Sequence, residues 1–285
     1  MSLQRSERRL NLERGSADCE SRCDGRKLAY FFRLIRLASW WDKLFLVGGA
    51  AAFLMLVSPT GRDWALWGAF VALTGLLLIH AYIFNDICDT PYDAAVGRDT
   101  ADISERDRRI VLGFSGALGA LILVVFFPIF AALLLGASYF LMSLLYSAPP
   151  CRLKDRGILG VIIAGFAQRP LLFLIFSLTL GLHTVPVLLL IVWLFSGGLV
   201  AMLGHQVGDY RDDQINGIST FAARWGRSIS LVLCGLFGLL FLVSCLLPLW
   251  YLKAHCALIL FLGMGGLSVI VGWQCMRGYL LLRAR

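Results

Sequence analysis

Two short runs of this sequence gather carboxylates. The first reads Asn85-Asp86-Ile87-Cys88-Asp89-Thr90-Pro91-Tyr92-Asp93, and the second reads Asp209-Tyr210-Arg211-Asp212-Asp213. A helix turns about 100° per residue, so the spacing puts Asp86, Asp89 and Asp93 on one face. The second run stacks Asp209, Asp212 and Asp213 in the same way. Like charges on one helix face repel, and neither propensity nor packing favours them. A shared cation removes the penalty. Oxygen-only ligands select a hard ion, Mg²⁺ above all, and Mg²⁺ commonly binds through a few carboxylates plus substrate phosphates. Two such clusters predict two Mg²⁺ sites facing each other, held by Asp86, Asp89, Asp93, Asp209 and Asp213, with a di- or triphosphate between them. A basic loop completes the set: Tyr146-Ser147-Ala148-Pro149-Pro150-Cys151-Arg152-Leu153-Lys154. Lys154 and Arg152 can neutralise phosphate oxygens, and Arg98 can do so from the first loop.

The elements that must position these groups are apolar. Of 285 residues, 59% are hydrophobic and only 15% charged, and the mean hydropathy is +0.77. A soluble fold of this size needs more charge on its surface. The chain therefore reads as an all-α, polytopic transmembrane bundle of about eight to nine helices with a central cavity opening to the cytoplasmic side. Spans are expected near 41–58, 64–84, 110–127, 129–146, 158–180, 184–205, 228–250 and 255–276. Both carboxylate runs directly follow an expected span. Residues 1–27 form a polar tail without the apolar region of a signal peptide, and 28–285 form the membrane domain. Residues 28–43 read as an interfacial helix leading into the first span.

The Lys and Arg residues fix orientation. Apart from Arg62, Lys253 and the intraspan Arg169, the 26 basic residues fall on one side. That puts both termini and the carboxylate runs in the cytoplasm. The net charge of +8 therefore belongs to lipid headgroups and not to a nucleic-acid partner. The 8 cysteines lack metal-ligand spacing and read as small packing residues. His80 and His205 are expected to be packed and hydrogen-bonded, Arg169 to snorkel or to make a helix–helix bond, and Gly197-Gly198 and Gly265-Gly266 to allow close helix approach.

Taken together, these residues resemble the UbiA superfamily of intramembrane prenyltransferases. The family's N-D-x-x-D-x-x-x-D motif is met by Asn85, Asp86, Asp89 and Asp93. Its D-x-x-x-D followed by G-I-x-S/T is met by Asp209, Asp213, Gly217 and Ile218, then Ser219-Thr220. The Tyr-Ser-x-Pro-Pro…Lys loop and the stretch Asp93-x-x-Val96-x-Arg98 are also similar to it. Asp102-Ile103-Ser104-Glu105-Arg106 replaces the family's N-R-P, Asp212 is an extra acid, and Gln206 stands where a further Asp is often found. The family usually has nine helices.

The resemblance implies transfer of a prenyl group from an isoprenyl diphosphate donor to a small-molecule acceptor, aromatic or a quinone precursor. Asp86, Asp89, Asp209, Asp213 and Lys154 would be catalytic, and Asn85, Asp93, Arg98, Tyr146, Arg152 and Asp212 would bind substrate. Two Mg²⁺ ions would offset the charge of the leaving diphosphate. A dry apolar cavity would protect the allyl cation from water. Two other readings remain open. One is a lyase of the same fold that cyclises the cation. The other is a transporter, whose sites usually lie near the bilayer midplane.

Overall fold

The computed structural model describes residues 27–57, 63–95, 103–182 and 184–252. The expected eighth span, Arg98, the polar tail through residue 26 and Gly265-Gly266 lie outside them. Among the described residues every regular element is helical, and the one strand-like pairing is an isolated bridge between Gly157 and Thr220.

The chain runs through α1 (Leu37–Val57), α2 (Trp64–Ala95), α3 (Glu105–Phe126) and α4 (Phe130–Ser147). A short 3₁₀ turn (Leu153–Asp155) leads to α5 (Ile158–Phe166), a π turn (Ala167–Leu171) and α6 (Leu172–Thr179). Then come α7 (Val185–Gly208), α8 (Tyr210–Ile215), α9 (Phe221–Trp225) and α10 (Arg227–Leu252). Six of the described segments are long and apolar enough to cross a bilayer: α2, α3, α4, the continuous α5–π–α6 segment, α7 and α10. This is an integral membrane protein. The 21-residue α1 occupies the place of the expected first span and carries Asp42 and Lys43 near its start; it is not one of the six.

Apolar length sets the helices, and a few residues end them. Pro128 separates α3 from α4, as its missing backbone donor and fixed φ require. In α2 the helix continues about ten residues beyond the expected span end and passes through Pro91. Residues 28–43 are not one interfacial helix. Residues 27–34 are helical, the chain turns at Ile35 and Arg36, and α1 begins at Leu37. The turn is possible because Arg36 takes φ 56°, a left-handed conformation uncommon for a residue with a Cβ.

The main core lies between α1, α2, α6 and α7. Phe53, Phe70, Leu77, Phe173, Phe176 and Trp193 are all buried there. α10 packs on α7 and α3 on α2. Large apolar side chains such as Phe114, Leu121, Val124, Phe130, Leu236 and Leu239 stay exposed on α3, α4 and α10. On a membrane protein this is the lipid-facing surface and needs no partner. α5 and α7 cross closely at two glycines. A Cβ on Gly198 would stand 2.3 Å from the Gly165 carbonyl oxygen, so the backbones would have to part to admit even alanine. This is the close helix approach that Gly197-Gly198 suggested.

Candidate active site

The C-terminal halves of α2, α4, α5 and α7 surround one cavity of about 200 Å³. α2 contributes Tyr82, Asn85, Asp89 and Asp93 to its lining, positions that share a face at helical spacing. Asp86 projects elsewhere. It pairs with Arg36 from the turn before α1 and is not among the lining residues.

Asp89 sits at the centre of a polar network. Lys154 Nζ donates to Asp89 Oδ1 and to Asn85 Oδ1 at 3.0 Å. Asn85 Nδ2 donates to Asp89 Oδ2 at 2.8 Å, and Ser147 Oγ donates to Asn85 Oδ1 at 2.9 Å. Arg152 stands behind. Its Nη2 donates to Asp89 Oδ1 at 3.4 Å and its Nε to Asp155 Oδ2 at 2.8 Å. Its guanidinium lies 4.0 Å from the centroid of the Tyr92 ring, a cation–π contact. Lys154 and Arg152 reach these places because the 3₁₀ turn folds tightly against α5. A Cβ on Gly160 would meet the Leu153 carbonyl oxygen at 2.7 Å, so only glycine lets the helix pass there.

The second run follows a break between helices. α7 ends at Gly208, Asp209 occupies the junction, and α8 carries Asp212 and Asp213. Asp209 Oδ2 lies 2.8 Å from His205 Nδ1, which accounts for one of the two histidines expected to be hydrogen-bonded. The other, His80, has its Nδ1 3.2 Å from the Leu112 carbonyl. Thr220 Oγ1 donates to Asp213 Oδ2 at 2.8 Å, and the Ile218 amide returns to the Asp213 carbonyl at 2.8 Å. Gly217 makes that return possible at φ 64°. The Gly157 amide donates to the Ser219 carbonyl at 3.2 Å, so the loop of Lys154 and the loop of Asp213 are tied together. Gln206 has a structural task. Its Oε1 accepts from the Phe221 and Ala222 amides at 3.1 and 3.4 Å, capping α9.

Burial pushes the Asp213 carboxyl up to about 6, with the nearby Asp209 charge adding to the rise and the Thr220 hydroxyl opposing it. The Asp209 part of that rise is a like-charge repulsion, which a bound cation would relieve. The donor chemistry fits Mg²⁺. Asp89, Asp93, Asp209, Asp212, Asp213 and Asn85 all line the cavity and carry side-chain oxygen, and hard cations take oxygen ligands. Among the described residues no three carboxylate, His or Cys side chains converge on one point.

Of the residues expected to serve the site, Asn85, Asp89, Asp93, Tyr146, Lys154, Asp209, Asp212 and Asp213 line the cavity. Arg152 touches it through Asp89, and Asp86 is held outside by Arg36. Tyr82, Gln168, Asp155 and Asn216 also line it and were not expected. Tyr82 had a legible signal, lying seven residues before Asp89 on the same helix face.

The sequence profile of the UbiA prenyltransferase family matches residues 45–280. The chain belongs to this family. No curated protein matches the chain by sequence. The UbiA fold is repeated in solved structures. A UbiA homolog from Archaeoglobus fulgidus bound to DMAPP and Mg²⁺ superposes with TM-score 0.62 at 14% identity, over 90% of this chain and 87% of that one. The same organism's homolog bound to GPP and Mg²⁺ gives TM-score 0.60 at 16% identity, over 89% and 99%. A structural study of digeranylgeranylglyceryl phosphate synthase gives TM-score 0.58 at 18% identity, over 90% and 96%. At these identities the likeness is one of fold.

Proposed function

We propose that the chain is an intramembrane prenyltransferase that moves a prenyl group from an isoprenyl diphosphate to an aromatic or quinone-precursor acceptor and releases diphosphate. The observation that carries this reading is the cavity itself. Carboxylates from two separate elements and the ammonium of Lys154 open into one space, and its remaining walls include Met142, Ile163, Ala164, Ala167 and Met202. The UbiA homologs bound to DMAPP or GPP with Mg²⁺ support it.

Two Mg²⁺ ions would be held by Asp89 and Asp93 from α2 and by Asp209 and Asp213 from the α7–α8 junction, with Asp86 joining once Arg36 releases it. Bound there, Mg²⁺ supplies positive charge against which diphosphate leaves. The residues of the chain do the rest. Lys154 and Arg152, already beside Asp89, bind phosphate oxygens. Asn85 keeps Asp89 and Lys154 in register. Asp212 and Tyr146 border the bound diphosphate. The C1–O bond of the donor breaks with its electron pair staying on the diphosphate, an acceptor carbon bonds to C1, and the proton lost from the acceptor passes to the diphosphate. The apolar walls keep water from the allyl cation.

The test is product analysis. Membranes containing the protein, given Mg²⁺, isoprenyl diphosphates of several lengths and a panel of phenols and quinols, should yield a prenylated ring by mass spectrometry. A cyclised hydrocarbon formed with no acceptor present would instead mark a lyase.

The cavity mouth, both termini and the tail of residues 1–27 are placed in the cytoplasm, on the strength of the Lys and Arg distribution. Single cysteines introduced at 106, 156 and 211 should react with an impermeant maleimide from the same side as one introduced in the N-terminal tail. Labelling of any of the three from the opposite side would overturn the orientation.

A further inference from the structure

The polar groups of the cavity fall into two sets. One contains the carboxylates and Lys154. The other is Tyr82 and Gln168, which no step above uses and which line the same cavity. Tyr82 lies about 10 Å further into the span than Asp89, seven residues back along α2. Gln168 lies in the π turn Ala167–Leu171 within the span Ile158–Thr179. A π turn in a helix is frequent at functional sites.

The Tyr82 hydroxyl donates to Gln168 Oε1 at 3.3 Å. The amide oxygen is thereby engaged, and the amide nitrogen is the end left to the cavity. Its contact is the thioether of Met202 at 3.9 Å, a weak acceptor. A donor held in a largely apolar space without a strong acceptor is costly unless a ligand supplies one.

The pair is braced from behind. Arg169, the next residue, is buried, and its Nη2 donates to Asp42 Oδ2 at 2.9 Å. Asp42 Oδ1 accepts from Lys43 Nζ at 3.2 Å. The Lys43 ammonium lies 5.4 Å from the centroid of the Tyr82 ring. One carboxylate therefore holds both halves: through Arg169 the turn that carries Gln168, and through Lys43 the ring of Tyr82. Charges placed this deep are expensive, and in membrane proteins they mark function. None of the three lines the cavity, so their effect on it passes through Tyr82 and Gln168.

We propose that Gln168 binds the acceptor, donating from its amide nitrogen to an oxygen on the acceptor ring, and that Asp42, Lys43 and Arg169 are positioning residues for it. This rests on the prenyl-transfer reading above. The chemistry selects a neutral, oxygen-substituted aromatic, a phenol or hydroquinone. A carboxamide has no charge to hold a diphosphate or a carboxylate, and Lys43 and Arg169, both bonded to Asp42, do not line the cavity. With its oxygen on Gln168, the ring stands between that residue and the phosphate-binding end of the cavity.

The test uses the full chain in detergent with Mg²⁺, geranyl diphosphate and, in turn, hydroquinone, methylhydroquinone and 1-naphthol. Gln168→Leu should raise the KM of the best phenol at least about 10-fold, the cost of one lost hydrogen bond, and leave the KM of geranyl diphosphate within about twofold. Gln168→Asn keeps the amide and should fall between the two. Arg169→Gln leaves the Asp42–Lys43 pair intact and so strands no buried charge, and it should show the same split between the two KM values. A merely structural role would raise both together. An unchanged phenol KM in Gln168→Leu, or equal rises in both constants, would overturn the assignment. If the parent cleaves geranyl diphosphate but prenylates none of the three phenols, the subsite is wrong and the donor reading stands. If geranyl diphosphate is neither bound nor cleaved with Mg²⁺, the donor reading falls and takes the subsite with it.

Discussion

Asp209→Asn and Asp89→Asn should each lower turnover at least about 100-fold, on the order of 3 kcal/mol of barrier. Asn keeps the size of the side chain and part of its hydrogen bonding, and it removes the charge that a Mg²⁺ ligand provides. The two positions should differ in a second measurement. Asp89 answers Lys154 and shares Arg152 with Asp155, so its replacement leaves the Lys154 ammonium without a carboxylate and should lower the thermal midpoint of the metal-free protein. Asp209 bonds the largely exposed His205, a weak contact, and repels the buried Asp213, so its replacement should change the midpoint much less than that of Asp89. Asp63→Asn is the control. Its Oδ1 accepts from the Leu66 amide at 2.9 Å at the start of α2, a cap that Asn also makes, and its turnover should match the parent. Parent-level turnover in either motif variant, or an equal loss in Asp63→Asn, would show that the acidic runs do not serve the reaction.

Chelation should abolish activity outright. With EDTA present, prenyl transfer should fall below detection, and excess Mg²⁺ or Mn²⁺ should restore it. Calorimetry or thermal shift adds a reading that does not depend on turnover. Geranyl diphosphate and Mg²⁺ added together should raise the thermal midpoint of the parent, because a ligand that binds only the folded state stabilises it. Either one alone should do much less, since the described carboxylates do not form a complete cage and the diphosphate needs its charge offset. Full turnover in EDTA would remove the metal from the mechanism.

The membrane class, the two motifs and their convergence on one cavity were legible in the sequence because each depends on a strong and local signal. Apolar runs of span length have few alternatives, and repeated carboxylates at helical spacing carry a visible penalty. Other features depended on tertiary contact. Asp86 looked equivalent to Asp89 by spacing, and what separates them is Arg36, held in a left-handed turn some fifty residues earlier. Asp42 and Lys43 read as part of an interfacial stretch, because nothing local announces that Arg169 lies beside them. The π turn was foreshadowed only as a disturbance at Pro170. Gln206 looked like a substituted acid, and only its contacts with the Phe221 and Ala222 amides reveal it as a cap.

Tyr82, Asn85, Asp89 and Asp93 ride on one unbroken helix, α2, and that restricts how this region can change over evolutionary time. Inserting or deleting a single residue between Tyr82 and Asp93 would rotate everything beyond it by about 100°. The two halves of that wall would then no longer face the same space. Point substitution is the one kind of change this segment can absorb. The second carboxylate run meets its helix at a break, at Asp209, and is followed by a loop turned by Gly217. Length variation among descendants of this sequence should therefore stay out of the last four turns of α2, and equally out of residues 217–222, which Asp213, Gly157 and Gln206 hold in place.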